Sequence, residues 1–178
     1  MRRNDEPGLR ARLAHSPILR TARCAHPRAV GEIRFGRLPI VAVHTGELSL
    51  STRGDADMID ITDGVQRVVS GTGIADGLAC AFVRGSTAAI TTMEHEPGLV
   101  ADLRALLDRL IPVEGDYEHN RLNRDTNSHA HQRASLVGAS EQVPLIGGRL
   151  ALGTWQQLVL IDFDDRPRER TVIVQVVS

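Results

Sequence analysis

His95, His119, His129 and His131, four of the chain's seven histidines, fall within 37 residues and alternate with Glu94, Glu96, Asp116, Glu118 and Asp125. A neutral imidazole offers a nitrogen lone pair and titrates near ~6.5, so imidazoles and carboxylates at this density suit either a divalent metal or acid–base chemistry. The His129-x-His131 spacing depends on the backbone. In an extended segment both rings face one side, whereas on a helix they point roughly 200° apart. Local sequence favours the helix: Asn127 can cap it, Ala130, Ala134, Leu136 and Val137 favour or pack it, and Gly138 can end it. The two histidines then occupy the first turn, where free N–H groups and the helix dipole attract anions, and Arg133 one turn further on completes a phosphate pocket. A single histidine is more often a surface or satisfied core residue. The clustering is what favours function.

Other chemistries fall away. All 21 Lys+Arg positions are arginine, which excludes lysine Schiff bases, a pyridoxal-phosphate anchor and a P-loop lysine, since each needs an ε-amine. Gly71-Thr72-Gly73 followed by Gly77 misses the dinucleotide-binding spacing and follows a helical pattern instead of a strand. Ser135 and Ser140 lack a nucleophile-elbow context. Trp155, in Gly153-Thr154-Trp155-Gln156-Gln157, reads either as core or as a ring that stacks on a heteroaromatic ligand. With 3% aromatic residues, stacking on nucleic-acid bases is disfavoured. Two cysteines, Cys24 and Cys80, make no disulfide framework, and Cys80 in its apolar run reads as a small buried thiol.

The elements that must position the histidines are legible from about Ile40 onward. Residues 1–37 hold nine arginines against Asp5, Glu6 and Glu32, and the remainder hold twelve against nineteen acids. A basic, poorly ordered arm over 1–38 and a single domain over 39–178 follow, and nucleic-acid binding by the arm is disfavoured without a folded reader. No apolar run reaches the ~18 residues of a membrane span and no apolar signal core follows the first arginines, so a cytoplasmic protein with no membrane partner is expected. Strand patterns start at Ile40–Val43 and resume at Leu48, Leu50 and Met58–Ile61 around the Arg53-Gly54-Asp55 turn. Thr62 stands where a helix cap should and Gly71 where that helix should stop. Gly77–Val83 is too continuously apolar for a half-exposed strand, so it is expected to be central, with Ala88–Thr92 paired beside it. Pro97 opens a helix whose Leu99, Val100, Leu103, Leu106, Leu107 and Leu110 form one core-facing stripe before Pro112. Residues 113–130 read as a long polar loop. Val143–Ile146 and Arg149–Leu152 flank a Gly147-Gly148 hairpin turn. Trp155–Phe163 and Thr171–Val177 are expected to pair around Asp164–Pro167, with both faces of the last strand covered or one in a subunit contact.

Several of these residues together carry a resemblance. Glu94, Tyr117-Glu118-His119, His131-Gln132-Arg133-Ala134-Ser135-Leu136-Val137-Gly138, Pro144, Leu152-Gly153-Thr154-Trp155-Gln156-Gln157 and Arg166-Pro167-Arg168-Glu169-Arg170 resemble, in order and spacing, the YjbQ family from about Val41 onward. The resemblance implies an α+β fold, a mixed, largely antiparallel β-sandwich with two or three helices, assembled as a homotrimer with sites between subunits. It implies thiamine-phosphate synthase activity: hydroxymethylpyrimidine pyrophosphate joined to thiazole phosphate with release of pyrophosphate. Carried over, Glu94, His119 and His131 are the catalytic candidates, and Arg133, Ser135, Trp155 and Gln156 bind a phosphorylated substrate. His119, His129 and His131 would hold a divalent metal, Zn²⁺ by the chemistry of imidazole or Mg²⁺ by that of pyrophosphate. The chain departs from the common pattern in having Gly85-Ser86-Thr87 where many members have His-Thr-Ser, and Met93 where an asparagine is frequent. It thus resembles a Gly-Ser-Thr subfamily in which His129 replaces the lost imidazole. Two alternatives stand beside synthesis: a metal-dependent hydrolase in which Glu94 activates water, and a non-enzymatic trimer that binds phosphorylated ligands.

Overall fold

The computed structural model describes residues 41–178; the basic segment expected over 1–38 lies outside them. Chain order is β1 (Val43–Thr52), β2 (Asp57–Asp60), α1 (Thr62–Thr72), β3 (Gly77–Val83), β4 (Ala88–Met93), α2 (Pro97–Leu110), α3 (Glu118–Asn123), α4 (Ser128–Val137), β5 (Ser140–Ile146), β6 (Arg149–Leu150), β7 (Gln157–Asp162) and β8 (Arg168–Val177). The strands form a five-stranded sheet, β1-β8-β3-β5-β6, and a three-stranded sheet, β2-β7-β4, in which every pair is antiparallel. This is the α+β sandwich the resemblance implies, with four helices among the described residues instead of two or three. Among the described residues no helix is long and apolar enough to cross a membrane.

Two apolar layers hold it together. Ala79, Ala81 and Val83 of β3 and Val172, Val174 and Val176 of β8 meet Ala88 and Ile90 of β4 and Leu158 and Leu160 of β7, with Val65 and Val69 of α1 closing the layer. On the back of the small sheet, Ala89, Val159 and Ile161 meet Leu107 of α2 and Ala130 and Ala134 of α4. β7 is therefore buried on both faces, which explains its unbroken Leu-Val-Leu-Ile run, and each such side chain contributes about 1.5–3 kcal/mol.

Two pairings differ from expectation. β4 lies in the opposite sheet from β3, and β7 and β8 belong to different sheets, so the residues between each pair cross the sandwich instead of turning a hairpin. Both errors share a cause: a short polar connection between two apolar runs serves a hairpin and a sheet-to-sheet crossover equally well. β3 is central, between β8 and β5, yet its outer face stays open, with Leu78 36% and Phe82 42% exposed. Gly147 and Gly148 do take positive φ, 58° and 76°, as a tight β5–β6 turn of the mirror-image type requires.

Helix ends also differ. Thr62 is the first residue of α1, and its hydroxyl accepts the Leu158 N–H at 2.9 Å, while Asp60 accepts the Thr62 N–H and Gly73, not Gly71, supplies the left-handed stop. Glu96 caps α2 by accepting the N–H groups of Gly98 and Leu99, and these bonds hold its carboxyl below the usual carboxylate range. Of the α2 leucine stripe only Leu107 is buried; Leu99, Leu106 and Leu110 are exposed. The stripe seats one edge of the helix and leaves the rest uncovered.

Candidate functional site

The expected loop over 113–130 contains α3 and the start of α4, and these two helices create the site. Asn127 precedes α4 as expected but makes no capping bond; the Ser128 N–H is instead accepted by Asn120 Oδ1 of α3 at 3.0 Å, which ties the two helices together. Ala130 and Ala134 are small enough to seat α4 against β4. Gly138 ends the helix.

That docking brings His131 to the Gly85-Ser86-Thr87 segment, where its Nδ1 lies 3.1 Å from the Ser86 carbonyl. A carbonyl only accepts, so Nδ1 donates, and in the neutral ring Nε2 carries the lone pair. His119 has the opposite arrangement. The Asn123 amide nitrogen donates to His119 Nδ1 at 3.1 Å, so the proton of the neutral ring sits on Nε2, and that atom is buried with no partner among the described residues. The two ring centroids are 4.8 Å apart and tilted by 58°. A donor and an acceptor thus stand side by side in a cleft of about 590 Å³, lined also by Ile111, Ser128, Gln132, Ser135 and Leu136.

The other candidates are not gathered there. Arg133 is 2% exposed and turns inward: Nε and Nη2 donate to the Ile111 carbonyl at 3.0 and 2.6 Å, and Nη2 to Asp108 at 2.8 Å. It locks α4 to the end of α2, so the phosphate pocket built on its guanidinium is corrected. The reason is position: on α4 it shares the buried face with Ala130 and Ala134, not the open face of His131. His129 lies in a separate pocket with Asp125 and Asp165. Burial, and secondarily the Arg133 charge, push its pKa below the ordinary histidine value. The expected ligand triad of His119, His129 and His131 is not assembled within one chain, and among the described residues no three His, Cys, Asp or Glu side chains gather to hold a metal. α4 is helical here, so residues two apart diverge. Ser135 lines the cleft, with its hydroxyl donating to the His131 carbonyl at 2.8 Å.

Glu94, Trp155 and Gln156 sit at the far end of β4 from Ser86, about 20 Å away along six strand residues. Trp155 is 71% exposed, and Gln156 is engaged by Thr92 and the Gly153 N–H. His95 is structural, with Nε2 donating to the Met58 carbonyl at 3.2 Å.

Beneath Ser86 lies a charged network that sequence reasoning missed. Arg170 donates to both oxygens of Asp162 at 2.6 Å and to the Thr87 hydroxyl at 2.8 Å; Thr87 donates to Asp164 at 2.8 Å, and Arg168 pairs with Asp164. Thr52 adds a 2.5 Å bond to Asp162. Burial alone would raise the Asp164 pKa, but the bonds from Arg168 and Thr87 hold it down at about 2. The available signal was the Asp-x-Asp and Arg-x-Arg spacing, which in extended chain puts both members of each pair on one face. Gly85 borders this network at φ 115°, and an added Cβ would meet Arg170 Nη1 at 2.8 Å. Gly85→Ala is expected to cost about 1–3 kcal/mol, read by urea denaturation, because the backbone strain and the contact act together.

The model for the family described as "UPF0047 protein YjbQ-like" matches residues 46–178. A UPF0047 protein of Methanothermobacter thermautotrophicus is 40% identical over 134 residues, 75% of this chain and 92% of the relative. One from Archaeoglobus fulgidus is 42% identical over 129 residues, 72% and 98% respectively. Among solved structures, a YbjQ-like protein of unknown function from Sulfolobus solfataricus has a TM-score of 0.74 at 34% identity, covering 78% of this chain and 99% of that one. A yjbq/upf0047 family protein from Clostridium acetobutylicum has a TM-score of 0.67 at 40% identity, covering 73% and 98%.

Proposed function

We propose, from the premise that the chain belongs to the YjbQ-like UPF0047 family, that the His119–His131 cleft takes a phosphorylated small molecule and carries out thiamine-phosphate synthesis. The observation that supports this reading is the complementary imidazole pair, one nitrogen donating and one accepting, with the donor buried and unpartnered. In the proposed step the ring nitrogen of thiazole phosphate attacks the methylene carbon of hydroxymethylpyrimidine pyrophosphate. The C–N bond forms as the C–O bond breaks, and pyrophosphate leaves with the bonding electrons. The protein then has to steady charge on the leaving group more than supply a nucleophile. His119 Nε2–H would donate to a leaving phosphate oxygen, and His131 Nε2 would accept a proton or hydrogen bond from the ligand. Magnesium enters as the counter-ion of the pyrophosphate, since the residues of one chain do not fit a resident ion at the histidines.

This reading also includes a homotrimer. The cleft and the Glu94–Trp155–Gln156 group lie at opposite ends of β4, so one site containing both needs a second copy. The exposed apolar residues Leu78 and Phe82 on the outer sheet face, and Leu106 and Leu110 on α2, are surfaces that such packing would cover.

With both thiamine precursors and Mg²⁺, the purified protein is expected to release pyrophosphate, and His119→Ala and His131→Ala are each expected to lower kcat/KM at least about 100-fold. No release by the unaltered protein sinks the synthase reading. Saturable binding of a precursor without release would support the second reading, a non-enzymatic ligand-binding protein, which the separation of Glu94 from the histidines within one chain favours.

A further inference from the structure

A second pocket, of about 480 Å³, opens where His129 leaves α4 on the side away from His131. Its polar lining is mostly acidic: Glu114, Asp116, Asp125 and Asp165, with Asn120 and Thr126, and no arginine among the lining residues. Two of these carboxylates are partly committed. Asp116 pairs with Arg121 at 2.5 Å, and Asp165 accepts the Thr126 hydroxyl at 2.5 Å. Among the described residues Asp125 accepts only the Thr126 N–H, and Glu114 has no ion pair.

His129 is the one buried residue in the lining, 3% exposed; the Thr126 backbone lies near enough to raise its pKa against the effect of burial, yet its Nδ1 makes no well-formed hydrogen bond among the described residues. A buried polar atom is ordinarily paired, so an imidazole without a well-formed partner beside a pocket is suited to bond a group that enters it. The carboxylates fix the sign of that group. A bare metal ion fits poorly, because it needs three or more donors converging within its own first sphere and no such triple exists among the described residues. A planar cation with several N–H donors suits acceptors spread around a wider cavity.

We propose that this pocket binds a guanidinium group, its N–H donors shared between His129 and the carboxylates of Asp125, Asp165 and Glu114. The site is separate from the His119–His131 cleft and independent of any reaction there.

The test uses the full chain and agmatine, a guanidinium compound with no carboxylate of its own. Titration calorimetry at physiological salt should show saturable one-to-one binding, and the His129 imidazole resonances should shift along the same curve. Asp165→Asn and the exposed Glu114→Gln should each weaken binding at least about 10-fold, which corresponds to 1.4 kcal/mol. Glu114→Gln keeps the test open should Asp165→Asn fail to fold. Four outcomes overturn the proposal: no saturation at millimolar agmatine, loss of binding once salt is physiological, equal binding of the diamine putrescine, or Mn²⁺ broadening His129 where agmatine does not shift it.

Discussion

Arg170→Leu should destabilise the protein by about 3–5 kcal/mol in urea unfolding, the largest loss expected from any single replacement outside the apolar core. Arg170 is 8% exposed and Asp162 is fully buried, so removing the guanidinium strands a carboxylate that water cannot reach. The double replacement Asp162→Leu with Arg170→Leu should recover part of the loss, since an apolar pair carries no buried charge. A smaller loss in the double variant than in the single one identifies the stranded charge, not the missing contacts, as the cause. The same network sets the acid limit. With its folded pKa lowered to about 2 from 3.8, Asp164 contributes stability that is fully present above pH 3.8 and is lost as pH falls through about 2. The amount is on the order of 2 kcal/mol, and urea midpoints between neutral pH and pH 2 measure it.

Mixing two inactive variants should restore activity. If each site takes His131 from one copy and Glu94 from another, His131→Ala and Glu94→Ala are both silent alone. Co-refolded in equal amounts, random assortment pairs an intact His131 with an intact neighbouring Glu94 in about a quarter of sites, and pyrophosphate release should return to that fraction. Recovery of nothing, with mixed assemblies confirmed by native mass spectrometry, shows that Glu94 and His131 do not share a site.

How much of this could be read from the chain depends on the range of the interactions. The Pro97–Leu110 helix, the Gly147-Gly148 turn and the α4 helix ending at Gly138 follow from local preferences, and the structure has them. Sheet membership does not follow. β4 beside β7 and β8 beside β3 depend on which apolar faces meet across the sandwich, and a short connection such as Asp164–Pro167 is equally compatible with staying in one sheet or leaving it. At the site, His119 and His131 were named together only through the family resemblance, which also grouped them with His129; the divergence of His129 from His131 follows from the helix. The role of Arg133 was not legible, because a guanidinium one turn along the same helix serves an anion or a neighbouring carbonyl depending on which way the helix is rolled. The Asp162–Arg170 network was half visible, as alternating charges in strands whose apolar neighbours are buried.

One consequence concerns alignment. Apolar layers such as Val172-Val174-Val176 against Leu158-Leu160 are chemically repetitive, and sliding one sheet past the other by a two-residue step would still bury oil against oil. The Asp162-x-Asp164 and Arg168-x-Arg170 pairs occur once, so a two-residue slip could match only one carboxylate with one guanidinium. The remaining carboxylate and guanidinium would be sealed away from any counterpart, at a penalty of several kcal/mol. The ion pair therefore acts as an index mark between the sheets: methyl groups supply the adhesion, and two charges set which of several near-equivalent alignments survives.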